Sequence, residues 1–216
     1  ERETYMPLMQ VFRNLGAGFG GNASPPARLT TMADQVVMDW YQAMILDGRG
    51  YQVRIGTVTT AVTGDVDITD AAAEMCADAA SGTTIVPVYL NCDVESLGGT
   101  LPNVAAKSVA TVSSAGTAFV PLPLKSNGSA AVSTARAAAA GGVTVTVETA
   151  TTTLRHYSRT AATAALTPAA DHQFRPAPVL VGPRCFYVQV GTVTTGSVYF
   201  AHFDYIEGPT LLFDPS

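Results

Sequence analysis

The stretches YQVRIGTVTT (residues 51–60) and FYVQVGTVTT (residues 186–195) end in the same five residues after an apolar run. In the first stretch, three apolar residues alternate with two polar ones, which is the period-2 pattern of a half-buried strand. The shared glycine, Gly56 or Gly191, then permits a bend or bulge before a threonine-rich continuation. We interpret the two copies as separate strands with the same local residue pattern, since the sequences on either side of them do not match. An internal duplication is the alternative. Their wide separation suits a sandwich whose first and last strands share a sheet.

The chain after residue 50 continues with strand patterns. TTIVPVYLNCDVESL (residues 83–97) predicts a long strand, which Pro87 should place at a sheet edge or at a bulge. VTVTVETATTTLRHY (residues 143–157) is the clearest alternating run. Roughly eight such segments, joined by turns and without intervening helices, predict an all-β protein with an antiparallel β-sandwich of jelly-roll-like form.

Three segments could form helices. Residues 30–46 combine helical spacing with strand-forming residues, and extended structure is favoured there. Residues 67–82 (DITDAAAEMCADAASG) predict a short helix, because Thr69 or Asp70 can cap its N-terminus. Residues 130–142 are alanine-rich and predict either a short helix or a loop. We therefore expect one or two short helices beside the strands.

The chain divides into an extended N-terminal arm, residues 1–30, and a single β-sandwich domain, residues 31–216. The arm has no sustained period and contains clustered glycines and a Pro25–Pro26 pair, yet its YMPLMQVF segment is too apolar to remain in water. We expect it to lie against a partner subunit or against its own domain. The residues assigned to this assembly arm are Tyr5, Met6, Leu8, Met9, Val11 and Phe12.

Charge is scarce along the chain. Charged residues make up 13% of it, whereas about 25% is usual. Such a surface is weakly solvated, so we expect neighbouring subunits to cover much of it. The net charge is −5 and the basic residues are scattered, so direct nucleic-acid binding is not expected. No apolar run reaches the roughly eighteen residues of a membrane span, and none is expected.

The chain has three cysteines, Cys76, Cys92 and Cys185, without C-x-x-C spacing. Buried free thiols are the favoured interpretation, and a disulfide or a metal site is the alternative.

Histidines are the first candidates for catalysis. His156 lies near Ser158 in LRHYSR, but the glycine-framed turn that supports a serine nucleophile is missing. His202 and Asp204 in FAHFDY should share one strand face, where an exposed or hydrogen-bonded pair is the commoner outcome. His172 lies in a third segment. We expect no enzyme.

Acidic residues are the first candidates for a metal site. Asp65, Asp67 and Asp70 in GDVDITD could hold Ca²⁺ through oxygen ligands, but the glycine and distal glutamate of an EF-hand loop are missing. A solvated loop is favoured. We expect neither a bound metal nor a cofactor.

The segments YQVRIGTVTT, SGTTIVPVYLN, GGVTVTVETATTTL and CFYVQVGTVTTGSVYFAHFDYIE follow an apolar, glycine-rich arm. In this they resemble virion structural proteins of bacterial viruses, namely jelly-roll capsid or capsid-decoration subunits. The resemblance implies a subunit that self-assembles into the virion shell, with copies of itself and other capsid subunits as partners. The alternative is an oligomeric fibre-head or adhesin domain that binds host-surface glycans, which would need Tyr157, Phe174 and Tyr205 exposed in a groove.

Overall fold

The computed structural model describes residues 39–66, 71–97, 102–149, 152–160, 168–192 and 196–213. The proposed assembly arm (Tyr5, Met6, Leu8, Met9, Val11 and Phe12) lies outside these residues, and so do Asp67 and Asp70. The division at residue 30 therefore stays a prediction.

The described chain consists mainly of strands. Its helices are α1 (Trp40–Leu46) and α2 (Thr210–Phe213). Its strands are β1 (Gly50–Ile55), β2 (Val62–Thr63), β3 (Ala72–Ala73), β4 (Met75–Ala79), β5 (Thr83–Ser96), β6 (Asn103–Val109), β7 (Ser114–Ala115), β8 (Thr117–Phe119), β9 (Leu122–Pro123), β10 (Thr134–Ala137), β11 (Val143–Thr144), β12 (Thr153–Thr160), β13 (Pro168–Gln173), β14 (Leu180–Val181), β15 (Arg184–Gly191) and β16 (Val198–Pro209).

These strands form three sheets. The front sheet has the order β13-β5-β16-β1-β9, with β14 also on β5 and β2 on β16. The back sheet has the order β12-β6-β15-β4-β10-β8, and the small cover sheet has the order β3-β11-β7. Every pairing within these sheets is antiparallel. The prediction of an all-β antiparallel fold is confirmed, and its jelly-roll form stays a prediction.

The main core lies between the front and back sheets. Alternate residues of each strand point inward, as the two-residue period requires. Val53 and Phe203 of the front sheet share this core with Met75 and Phe186 of the back sheet, all fully buried. Full burial of one such side chain contributes about 1.5–3 kcal/mol, so this layer supplies most of the drive for folding.

A second core lies on the other side of the back sheet, beneath the cover sheet. The cover sheet contributes Ala73 and Val143, and the back sheet contributes its outward-facing apolar residues. The buried members are Ala73, Cys76, Val109, Val143, Val145, Cys185 and Tyr187. The back sheet is therefore buried on both faces over this region.

The apolar runs of the two repeated stretches lie in different sheets, residues 51–55 in β1 of the front sheet and residues 186–191 in β15 of the back sheet. Gly56 has a φ of +68° and bends the chain after β1, as the strand interpretation predicts. Strand β1 pairs instead with β16, the last described strand, with Gly50 opposite Ile206 and Ile55 opposite Ala201. Gly191 ends β15 opposite Asn103 and residues 193–195 lie outside the described part of the chain, so the bend after the second copy stays a prediction.

The helix predicted for residues 67–82 and the helix alternative for residues 130–142 are wrong, and the loop alternative for residues 130–142 holds only outside β10. The described part of residues 67–82 forms β3 and β4, and residues 130–142 contain β10, which pairs with β4. All five residues of β4 are buried, because the main core covers one face and the second core the other. A strand that is buried on both faces loses its alternation, and its alanines then suggest a helix.

The preference for extended structure in residues 30–46 is wrong at Trp40–Leu46, which is helix α1. The helix ends at a turn in which Gly48 has a φ of +80°, a common way for a helix to stop. Helix α1 packs against β1 at Gly50, where an added Cβ would lie 2.7 Å from Ile45 Cγ1. The absence of a side chain at Gly50 lets the helix approach the sheet.

Strand β5 is central, so the edge alternative for Pro87 is wrong and the bulge alternative is confirmed. The register with β16 shifts between Tyr89 and Pro87. The C=O of Thr83 accepts a hydrogen bond from the Gly182 N–H on the side of β5 that faces away from β16. The backbone nitrogen of Pro87, four residues later, faces this same side. Pro87 lies between the part of β5 that pairs with β13 and the part that pairs with β14. The N–H that proline lacks therefore leaves no hydrogen bond between strands unmade.

Residues 143–157 do not form one strand, contrary to the prediction. Val143–Thr144 pairs within the cover sheet, and Thr153–Thr160 forms an edge of the back sheet. The chain thus passes from one layer to another within the alternating run. Among the described helices, none has the length and apolar character needed to cross a membrane.

Candidate functional site

Interacting polar side chains gather on the outer surface of the front sheet, which we call the polar face. Strand register places them together: Asp204 of β16 lies opposite both Gln52 of β1 and Tyr89 of β5. The intervening residues of β16, Phe203 and Tyr205, point into the main core. The members of the polar face are Tyr41, Gln52, Tyr89, Asn91, Asp93, Asp171, His202 and Asp204.

Asp204 is the most enclosed carboxylate of the polar face. It accepts a hydrogen bond from Gln52 Nε2 at 2.9 Å and another from the Tyr41 hydroxyl on α1. Burial raises the pKa of Asp204, against the opposing effects of the Gln52 hydrogen bond, the His202 charge and the Tyr41 hydrogen bond. Burial and the nearby Asp204 also raise the pKa of Tyr41, so this phenol remains a donor.

A second group on the polar face surrounds His202. Tyr89 Oη donates to Asp171 Oδ1 at 3.0 Å, and the Tyr89 ring centroid lies 5.7 Å from that of His202. Burial raises the pKa of Asp93, while the His202 charge and a hydrogen bond from Asn91 lower it. The polar face therefore joins aromatic rings to carboxylates, and none of its eight members, which all belong to the described residues, is a serine, threonine or cysteine.

The structure confirms that His202 and Asp204 share a strand face, as their spacing predicts. Gln52 and Tyr89 could not be predicted as members of this group, because strands far apart in the chain bring them to this place. Their alternation with apolar neighbours showed that they face away from the core. It did not show which other residues they would meet.

His156 does not act with Ser158. Its Nε2 lies 2.8 Å from Ser108 Oγ, whereas Ser158 is exposed and opposite Ala105. Ser108 is fully buried. Burial lowers the pKa of His156, and the charge of Arg184 lowers it further. The charge that acts on His156 is a cation, whereas a catalytic triad needs a carboxylate on the imidazole, so this pair has the character of a part-buried structural hydrogen bond.

The residues named for a glycan groove are mostly core residues, so that expectation is wrong. Phe174 and Tyr205 are buried, and Tyr157 is half-buried with its ring stacked on His172 at 4.4 Å. Phe174 in turn meets His172 edge to face at 4.8 Å. These rings close the side of the sandwich where β12 and β13 approach each other.

Asp65 lies in a segment anchored to β15. Its N–H lies 3.1 Å from the Val190 carbonyl oxygen and 3.3 Å from Glu74 Oε1, and Glu74 Oε2 accepts from the Val190 N–H at 2.7 Å. Burial raises the pKa of Glu74 to about 8. Asp67 and Asp70 lie outside the described residues, so the Ca²⁺ alternative and the favoured solvated loop both stay predictions.

All three cysteines are buried and free, as the sequence analysis favoured. Within the described residues, Cys76, Asp78 and Cys185 are the group whose metal-ligand atoms lie within 4.8 Å of one another.

A cleft of about 390 Å³ opens at one end of the sandwich, beside Arg49, Tyr51 and Glu207. Arg49 Nε pairs with Asp47 at 2.7 Å. Glu207 Oε1 and Oε2 accept backbone N–H groups at 2.7 and 2.9 Å, so this carboxylate serves the fold.

Large apolar side chains are exposed at the end of the front sheet where β14 meets β5. Val181 lies opposite Thr84, and Thr84 Oγ1 donates to Thr210 Oγ1 at 3.2 Å, next to Leu211. We call Val179, Val181 and Leu211 the end patch; they are 54%, 41% and 73% exposed. Such grouped apolar exposure is typical of an interaction surface.

No family model, no curated protein and no solved structure matches this chain. The resemblance to virion structural proteins is thus a likeness of sequence character, and it supports a function only as a proposal.

Proposed function

We propose that this protein is a viral structural protein, a capsid or capsid-decorating subunit that self-assembles into the virion shell. The end patch carries the proposal, because three large apolar side chains are exposed together on a chain with only 13% charged residues. Burying apolar surface against a neighbour contributes about 25 cal/mol per Å². The role is structural and not enzymatic.

The second support is an edge strand. Within the described residues, the eight-residue strand β12 pairs on one side only, through seven of its residues, with β6. An edge of this length presents unpaired N–H and C=O groups that a neighbouring chain can use. Leu154 on this strand is 54% exposed and adds apolar surface. Association through the end patch and through β12 would give each subunit two separate contacts.

The assembly test compares two equally exposed positions. Leu211→Asp places a charge in the end patch, and Val58→Asp places one in the turn after β1, where Val58 is 72% exposed. We expect the unaltered protein to assemble into a large particle, Leu211→Asp to abolish that assembly and Val58→Asp to preserve it. Light scattering and negative-stain imaging measure particle formation. Normal particles from Leu211→Asp would remove the end patch from the proposal, and a monomeric unaltered protein would overturn the proposal itself.

The arm is tested separately. We propose that residues 1–30 tie neighbouring subunits together, so their deletion should leave a folded domain that neither assembles nor binds a preformed shell. Circular dichroism checks the fold and electron microscopy checks assembly. Normal assembly of the shortened chain would refute this role.

The polar face favours a second candidate function, glycan binding by an oligomeric fibre-head or adhesin domain. An aromatic ring beside carboxylates, as in Tyr89 with Asp171, is a surface that can bind sugar hydroxyls and ring faces. Glycan-array binding by the isolated protein that is lost in Tyr89→Ala and kept in Val58→Asp would favour this candidate. Absence of binding to any glycan would dismiss it.

A further inference from the structure

Cys76, Asp78 and Cys185 form a buried group between the back sheet and the cover sheet. Cys76 and Asp78 are two residues apart on β4, so their side chains leave the same face, and Cys185 of β15 lies directly opposite Asp78. One donor atom of each residue lies within 4.8 Å of the others. The prediction of buried free thiols does not explain why two thiols face one carboxylate.

Two further residues enclose the group. Ser113 Oγ lies 3.0 Å from Cys76 Sγ and donates to Asp78 Oδ2 at 2.6 Å, and the Ser113 N–H donates to Asp78 Oδ1 at 2.8 Å. Arg136 Nε lies 3.8 Å from Asp78 Oδ2. This Nε atom is buried and has no hydrogen-bond partner. Two sulfur atoms, a carboxylate and a hydroxyl thus converge beside a guanidinium group.

The geometry points to a binding site for a divalent metal ion of the zinc class, held by Cys76 Sγ, Cys185 Sγ and an oxygen of Asp78, with Ser113 Oγ at the fourth position. Tetrahedral zinc binds sulfur at about 2.3 Å and oxygen at about 2.0–2.2 Å, so its ligand atoms stand about 3.5–3.8 Å apart. Donors within 4.8 Å of one another reach this spacing by small side-chain rotations. Two sulfur donors select zinc-like ions over Ca²⁺ and Mg²⁺.

Binding leaves the buried charge balanced. Each thiol exchanges its S–H bond for a sulfur–metal bond and releases one proton to solvent, and no electron is transferred. The ion and two thiolates together add no net charge to a site where Asp78 already faces Arg136. Such a balance avoids the cost of an unpaired buried charge.

A disulfide between Cys76 and Cys185 fits less well. Cys76 is opposite Tyr187, so the two cysteines are diagonal neighbours across the ladder. Diagonal Cα atoms stand about 7–8 Å apart, whereas disulfides require less than about 7 Å. A metal ion spans the gap without backbone movement, because it adds two bonds between the sulfur atoms.

The test loads the intact chain with Co²⁺ during refolding under reducing conditions, because the cover sheet shields the finished site. We expect one Co²⁺ per chain, an intense near-ultraviolet sulfur-to-cobalt absorption band, and two protons released per ion. Cys76→Ser and Cys185→Ser should each weaken Co²⁺ binding at least about tenfold. Cys92→Ser is the matched control: Cys92 is also buried, but in the main core, and it should keep the band unchanged.

Three results would overturn the inference: no sulfur-to-cobalt band in the refolded protein, an equal band in Cys76→Ser, or binding without proton release. If the serine variants do not refold, X-ray absorption of the unaltered cobalt-loaded protein decides, with two sulfur ligands expected and none contradicting the site. A loss of two hydrogen masses on refolding in air, with no metal bound, would identify a disulfide instead.

Discussion

Phe186 of the back sheet and Phe203 of the front sheet meet edge to face, with their ring centroids 5.0 Å apart. Both rings are fully buried, and Phe186 also meets Phe174 edge to face at 5.7 Å. Rings in this arrangement contribute about 0.5–1.5 kcal/mol beyond the area they bury. The two sheets are therefore held together at their centre by specific contacts between rings.

Phe203→Ala should lower the free energy of unfolding by about 3–5 kcal/mol, because it removes a buried ring and leaves a cavity. Val58→Ala, at a position 72% exposed in the turn after β1, should change it by less than about 0.5 kcal/mol. Urea denaturation followed by circular dichroism measures both. Similar losses in the two variants would show that the Phe186–Phe203 contact is not central.

Glu207→Ala should lower the free energy of unfolding by about 1–3 kcal/mol. The buried Glu207 carboxylate accepts the N–H groups of Val132 and Ser133, and its loss leaves those donors without acceptors. Glu95→Ala is the control, since Glu95 is an exposed glutamate of β5. Chemical denaturation of the two variants gives the comparison, and equal stabilities would contradict the assigned role.

Gly182→Ala and Gly82→Ala separate steric clash from backbone strain. A Cβ on Gly182 would collide with the Ala80 carbonyl oxygen, which is a backbone atom and cannot rotate away. Gly82 has a φ of +83° and open space around it, so alanine there should cost only about 1–2 kcal/mol. Thermal unfolding should show a clearly larger loss for Gly182→Ala. The reverse order would mean that the Ala80–Gly182 approach is looser than described.

The free energy of unfolding should contain a His156 contribution that is lost in acid. Burial lowers the pKa of His156 from 6.5, so below that pH the unfolded chain takes up a proton that the folded chain resists. Stability is therefore present above pH 6.5 and falls as the pH drops below it. Because solvent screens this half-buried histidine, its contribution to the free energy of unfolding should change by well under about 1.4 kcal/mol per pH unit.

His156→Gln isolates this contribution, because the difference between its pH curve and that of the unaltered protein removes the other groups. Glu74, Asp93 and Asp204 have raised pKa values and act with the opposite sign, so the raw curve alone is ambiguous. Urea denaturation between pH 5 and pH 8 should give a difference that grows toward acid. A flat difference would contradict the linkage.

Strands with one polar face could be predicted from the sequence. Residues 51–55 alternate because their outer side chains meet solvent or the polar face, and their inner side chains meet the core. Strand β4 could not be predicted, because two cores bury it and small residues fill both faces. Helix α1 also escaped prediction, since its residues include strand formers and tertiary packing on Gly50 decides its form.

The candidate sites likewise combine features that the local sequence predicts with features that depend on tertiary packing. The spacing of His202 and Asp204 places both on one strand face, which is local information. The meeting of His156 with Ser108, or of Cys76 with Cys185, depends on which strands become neighbours. No local pattern encodes that choice, because strand order is set by the packing of the whole sandwich.

The pairing of β1 with β16 has a consequence for synthesis on the ribosome. Strand β16 fills the place between β1 and β5, so the front sheet stays divided until the last strand has emerged. Pairing across such a long sequence separation makes folding slow and leaves intermediates open to association. A nascent or truncated chain that lacks β16 therefore exposes the unpaired edges of β1 and β5. Chaperone binding at that stage would protect the chain from aggregation.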